Sequence, residues 1–260
     1  MLPPTGVRTA RSSRRAIAMI AMLVTAFAPH ARAQQPKGKT KTASKDDPRW
    51  EPIHSVFGQG DEEGRYYRVN LPRSDLHVSI EGDMLAPGFE FTSYVGFAPM
   101  GAHNVMAMAE VIVLESEVPA VLAEARRQGL HVTAVHNHLL NEHPHVMYIH
   151  VTAEGAPAAV AAKFRAVFAK TATPLEPPKE EPGTVDWSSI DAVLGAHAEA
   201  HGTVAEYVFP RREHLSMHKL ALESSGTIET ASEVVFQQLG GGRVANTGEL
   251  FILPLSLIHI

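Results

Sequence analysis

The sequence predicts an α+β fold, a largely antiparallel sheet covered by helices, written as a tandem duplication whose second copy is truncated. Three observations predict it. Hydrophobic periods between residues 47 and 172 run helix, several strands, helix, two strands, helix, which is the order of a layered α+β domain. A proline- and glutamate-rich break at Thr173–Gly183 follows. Beyond that break the opening pattern begins again.

Within the first copy, Trp50, Ile53, Val56 and Phe57 fall at helical spacing and predict a short helix over Trp50–Gly58. Alternation and β-branched content predict strands at Tyr66–Leu71, Leu76–Glu81, Glu90–Phe97 and Val105–Leu114. Gly82-Asp83 and Pro99-Met100-Gly101 supply turns. Glu117–Gln128 places Val118, Val121, Leu122 and Ala125 on one helical face, and Gly129 stops that helix. His131–Leu139 and Val146–Ala153 predict paired strands, and Ala156–Lys170 a closing amphipathic helix.

The repeat is legible residue by residue. Trp50, Ile53, Val56 and Gly58 match Trp187, Ile190, Val193 and Gly195, and Pro72-Arg73 matches Pro210-Arg211. Phe97, Gly101, Val105, Glu110 and Leu114 match Phe236, Gly240, Val244, Glu249 and Leu253. An offset held between 137 and 139 over that span predicts two copies of one unit, 47–172 and 184–254, joined by the linker 173–183. The second copy stops where the first would supply its middle helix and histidine segment, and residues 255–260 match nothing in the first copy. This end reads as a non-native tail on a fragment. A natural half-domain is the alternative, at the cost of exposed strand edges.

Residues 1–33 read as a secretory signal peptide: arginines at 8, 11, 14 and 15, an apolar run from Ala16 to Phe27, then Ala31-Arg32-Ala33. The apolar run is short of the roughly 20 residues of a spanning helix, which disfavours an uncleaved anchor. The expected location is secreted or periplasmic, with no stable membrane anchor after cleavage. Residues 34–46, polar and lysine-bearing, predict a disordered tether. Cysteine is absent, which excludes a lipidated cysteine, disulfides and thiol nucleophiles. Removing the five arginines of the leader from 23 basic residues leaves 18 against 28 acidic ones, a formal charge of −10. That balance argues against nucleic acid as a partner and leaves a small molecule or an envelope component.

Chemistry concentrates in His131–His150, which holds six of the 15 histidines. His136 and His138 are two apart on an expected strand and so project to one face. An antiparallel return brings His150 toward them, and Glu142 in the connecting loop can lean over. Three imidazoles and a carboxylate suit a divalent transition metal, zinc first. His131, His143 and His145 are weaker candidates. A hydrogen-bonded polar cluster, or a pH-sensitive surface, explains the same residues without metal. Tyr148 and Asn137 are candidate supporting groups by proximity. Arg73 and Asp75 form either a local ion pair or a pair reaching the hairpin, where Asp75 would fix a histidine tautomer. Glu110, inside an apolar strand, is either edge-exposed or a buried acid near the site. No Gly-rich phosphate loop and no G-x-S-x-G is present.

The run His136-Asn137-His138-x-x-x-Glu142-x-Pro144, followed by His150 and preceded by Gly129-Leu130-x-Val132-Thr133-Ala134, resembles the LppY/LpqO family, an exported bacterial domain of unknown function (DUF1259). Trp50 with Ile53 and Gly58, Pro72-Arg73-x-Asp75-Leu76 and Gly82 fit as well. The resemblance covers roughly 47–254 and implies two similar halves and export; it carries no reaction. His143 and His145 make this loop richer in histidine than the family pattern. Two functions therefore stand. One is a metal site of His136, His138, His150 and Glu142, with Glu142 as fourth ligand or as the base of a metal-assisted hydrolysis. The other is a non-catalytic envelope ligand-binding or interaction module.

Overall fold

The computed structural model describes residues 47–252, leaving out 177, 178, 180, 181, 218 and 219. The expected leader 1–33, tether 34–46 and tail 255–260 lie outside the described residues. Helix α1 (Glu51–Phe57) starts on Pro52, whose fixed φ suits a first turn, and ends on left-handed Gly58. Strands β1 (Asp61–Glu63), β2 (Tyr66–Pro72), β3 (Ser79–Ile80) and β4 (Asp83–Met84) follow, then a 3-10 turn at Pro87–Phe89. Next come β5 (Thr92–Met100), β6 (Asn104–Leu114) and α2 (Val118–Arg127). The first part closes with β7 (His131–His136), β8 (Glu142–His143), β9 (Val146–Gly155) and α3 (Pro157–Phe168). After the linker stand α4 (Ser188–Leu194), β10 (Glu199–His201) and β11 (Val204–Pro210). Strands β12 (Leu215–Met217), β13 (Leu220–Leu222), β14 (Ala231–Gln238) and β15 (Val244–Glu249) are the last strands among the described residues.

The fold is mixed α and β, and every strand pair among the described residues is antiparallel. The main sheet has the order β1-β2-β5-β6-β9-β7, and a four-stranded sheet the order β10-β11-β14-β15. Strand β6 shows how the layers form. Its odd residues Val105, Ala107, Ala109, Val111 and Val113 pack in one core with Ile53 and Phe57 of α1, Val121 of α2 and Phe164 of α3. Its even residues turn away from the helices: Ile112 shares a cluster with Val204 and Val235, and Met106 another with Leu222 and Ile228. A strand buried on both faces reads as a continuous apolar run, and Glu110 interrupts it on the face covered by the second sheet.

The two sheets approach closely. A Cβ built on Gly96 would lie 1.8 Å from the Thr227 carbonyl oxygen, so only glycine fits there. Gln237 receives the Ala86 N–H and donates to the Met84 carbonyl, and Tyr66 donates to the Glu223 carbonyl. These backbone–side-chain bonds fix the register of one layer over the other.

Three expected elements end elsewhere. The strand over Leu76–Glu81 shrinks to β3, because Arg73 and the turn after it take up the preceding residues. Strand β5 runs through Met100, and the turn begins at Gly101. Strand β7 stops at His136, where its pairing with β9 ends at Tyr148; Asn137 then donates to the Leu139 carbonyl and bends the chain.

Candidate metal centre

The β7–β9 pairing sets Ala134 opposite His150 and His136 opposite Tyr148, and β6–β9 pairing sets Glu110 opposite His150. His138 sits past the strand end, yet its ring returns over the same face, stacked on Tyr148 with centroids 3.6 Å apart and planes within 2°. His136 stacks on His138 at 5.0 Å and on His150 at 4.8 Å. One ring nitrogen from each of His136, His138 and His150 falls within 4.8 Å of the others.

Carboxylates from distant segments surround these rings. His138 Nδ1 lies 2.9 Å from Glu90, and its Nε2 lies 2.8 Å from Glu249 and 3.5 Å from Glu110. His150 Nδ1 lies 2.7 Å from Glu229, and its Nε2 3.2 Å from Glu110. Each imidazole thus bridges the first part of the chain and the second. Both Nε2 atoms are buried without an aligned hydrogen bond. Two further groups of ligand type result: Glu90, His138 and Glu249, and Glu110, His150 and Glu229.

The electrostatics follow from burial. Desolvation opposes charge on His138, but the close carboxylates of Glu249 and Glu90 and the field of Glu110 outweigh it and lift the ring to about 10. His150 is lifted to about 10 in the same way by Glu110 and Glu229. His136 has no such partner; burial and the neighbouring rings lower it. Glu110 is pushed up to about 7, by burial first and by Glu229 and Glu249 next, against the close contact with His150. Tyr148 donates to the Glu90 carbonyl, and Tyr94 donates to Glu229.

Glu142 is in none of the three groups; its Oε1 accepts from the Val146 N–H at 3.2 Å and meets His145 Nδ1 at 2.6 Å. Arg73 is fully buried and bonds Asp75 twice at 2.9 Å, Glu117 at 2.9 Å and the Ile112 carbonyl at 2.5 Å, which is the local ion pair rather than an arm to the histidines. Asn137 serves the bend after β7, and Tyr148 is the platform under His138. Of the carboxylates around the rings, the sequence singled out Glu110 and, as its expected repeat partner, Glu249. Glu90 and Glu229 carried no local signal.

Residues 51–170 match the Domain of Unknown Function (DUF1259). The DUF1259 match spans α1 to α3, so it holds all three histidines, Glu90 and Glu110, while Glu229 and Glu249 lie beyond it. Comparison with curated proteins and with solved structures returns no match. Among the described residues no helix is long and apolar enough to cross a membrane.

Proposed function

We propose that this is an exported protein of the LppY/LpqO type that binds one divalent metal through His136, His138 and His150, with Glu110 as the fourth donor. Zinc is the first choice. The observation that carries the reading is that the two buried Nε2 atoms, neither with an aligned hydrogen bond, lie 3.2 and 3.5 Å from one Glu110 oxygen. Donors at 2.0–2.1 Å from a tetrahedral metal stand roughly 3.3–3.5 Å apart, so the spacing is that of a shared ion. Glu90 and Glu229 accept from the Nδ1 atoms and so leave the Nε2 lone pairs to the metal, the usual carboxylate–histidine–metal support. Glu142 stays with the loop.

A tandem duplication would explain why the second part is there. Pro72 pairs with Thr92 and Phe97 with Ala107; Pro210 pairs with Ala231 and Phe236 with Asn246. The same register in both sheets supports two copies of one unit. On that reading Glu90 and Glu110 correspond to Glu229 and Glu249, and the four carboxylates close on one centre from both copies.

Elemental analysis of the purified protein tests the assignment: one equivalent of metal, lost in His136→Ala/His138→Ala. A second reading has one observation in its favour. His138 and His150 each meet a carboxylate at both nitrogens, so as imidazolium ions they would cross-link the two parts with no metal, as in a non-catalytic ligand-binding module. Metal-free protein whose stability is unchanged by chelator selects that reading. For the metal-loaded protein, turnover abolished by chelator in a hydrolase screen assigns metal-assisted hydrolysis, in which bound water ionises near neutral pH. Export is tested by the N-terminus of the mature protein, expected at Gln34.

A further inference from the structure

One row of directly opposed residues crosses four strands of the main sheet: Asn70 on β2, Tyr94 on β5, Glu110 on β6 and His150 on β9. Directly opposed side chains share a face of an antiparallel sheet, here the face under the second sheet. Tyr94 is only 6 % exposed and stands two strands from His150, yet its hydroxyl reaches the carboxylate that holds that ring. It donates to Glu229 Oε1, while the other oxygen, Oε2, lies 2.7 Å from His150 Nδ1. An ionised carboxylate only accepts, so the phenol is the donor. Burial first, then the charges of Glu229 and Glu110, hold that phenol well above its usual value and so protonated.

Both ends of this contact are clamped. The Arg68 guanidinium lies 3.7 Å over the Tyr94 ring, a cation on the ring face, and its Nε donates to Asn70 at 2.7 Å. Its Nη1 donates at 2.8 Å to the carbonyl of Gly226, three residues before Glu229. Arg68 therefore fixes the tyrosine and the turn that carries the glutamate together. Glu229 has a φ of 51°, in the left-handed region, which a residue with a Cβ keeps only where its surroundings hold it. A bond that merely joined the two sheets would have no need of this aim. Tyr66 makes such a bond, donating to the Glu223 carbonyl away from the histidines.

We propose that Tyr94 is a positioning residue for His150: its hydroxyl pins one Glu229 oxygen, so that the other stays on Nδ1 and Nε2 keeps its aim at the centre. The proposal rests on the metal reading only for what Nε2 meets. Without the hydroxyl the carboxylate is free to turn, and the ring loses its fixed orientation. Outer support of a ligand histidine is worth about 10- to 100-fold in metal affinity, and Tyr94 acts one bond further out, so the lower figure applies.

Tyr94→Phe removes one oxygen and leaves the ring beneath Arg68, so the packing is retained. The zinc affinity of the full chain, measured by chelator competition, is expected to fall about tenfold. In a Glu229→Ala background the same change should cost no more than about twofold, because the group it acts through is gone. Tyr66→Phe, which also removes a bond between the two parts, should lower the melting temperature and leave zinc affinity within about twofold of the parent. Unchanged affinity in Tyr94→Phe, an undiminished loss in the Glu229→Ala background, or an equal loss in Tyr66→Phe overturns the proposal. A parent protein that takes up no zinc removes the metal reading instead, and the contact is then read from denaturant midpoints. There, a smaller effect of Tyr94→Phe in His150→Ala than in the parent upholds the positioning of His150, and an equal effect overturns it.

Discussion

Glu110 and His150 face one another as a directly opposed pair on β6 and β9, with Glu110 Oε2 3.2 Å from His150 Nε2. The same oxygen is 3.5 Å from His138 Nε2, so one buried carboxylate addresses two rings that arrive from different segments. Apolar residues fill β6 on either side of Glu110 from Val105 to Leu114, and a carboxylate buried among them is costly unless a cation stands beside it.

Glu110→Gln is therefore expected to lower metal affinity by about tenfold or more, while Glu142→Gln leaves it near that of the parent. Competition with a chromogenic chelator measures both. Reversal of the two results would return the fourth donor to the hairpin loop.

The carboxylates on the Nδ1 side act through the rings. Glu90→Gln and Glu229→Gln keep the shape of the support but remove its charge, and each is expected to weaken metal binding about 10- to 100-fold with one equivalent still bound at saturation. Loss of the bound equivalent at saturating metal would instead make Glu90 or Glu229 a ligand.

The histidines were legible in the sequence because their proximity is local: a hairpin of about 20 residues carries all three, and antiparallel return needs no knowledge of the rest of the chain. Their support was not, because Glu90 reaches His138 from 48 residues away and Glu229 reaches His150 from 79. Nothing in the pattern around either glutamate marks it, and only the stacking of one sheet on another brings them in. Glu110 announced itself as a charge in an apolar strand. The helices and long strands were readable from period, while β3 was overrun by turn geometry set by the Arg73 carbonyl, which takes the Leu76 N–H.

Gly96 tests whether the stacking of sheets builds the centre. The Cβ of Gly96→Ala would overlap the Thr227 carbonyl, which sits two residues before Glu229 in the 3-10 turn Gly226–Ile228. Overpacking of this kind costs about 1–3 kcal/mol. Both the melting temperature and the metal affinity are expected to fall, the latter because Glu229 moves from His150. A drop in stability with metal affinity intact would mean the turn shifts without carrying Glu229.

Glu124 gives a pH dependence away from the centre. Hydrogen bonds from Arg127 and Gln128 depress its carboxyl to about 2, and Lys170 lies 3.8 Å away at the end of α3. A depressed carboxylate stabilises the fold above its unfolded value, and the contribution is lost as pH falls from there toward 2. The melting temperature of Glu124→Gln should lie below that of the parent at pH 7, with the two curves converging in acid. Parallel curves across pH 2–7 would show that the charge contributes nothing to folding.

Arg73 joins three segments of the chain outside the hydrophobic core. It is fully buried, and its guanidinium ties the segment after β2 to the end of β6 through Ile112 and to the start of α2 through Glu117. Removing one member of such a network strands the others, and breaking a buried pair costs about 3–5 kcal/mol. Arg73→Ala is expected to unfold at correspondingly lower denaturant. Lysine supplies charge but not the forked geometry that meets Asp75 and Glu117 together, so Arg73→Lys should recover only part of the loss. Because none of these bonds touches the histidines, metal affinity of the folded variant should stay within about twofold, as for sites that share no partners. A folded Arg73 variant that no longer takes metal would place the arginine at the centre and revive the reading in which Asp75 orients a histidine.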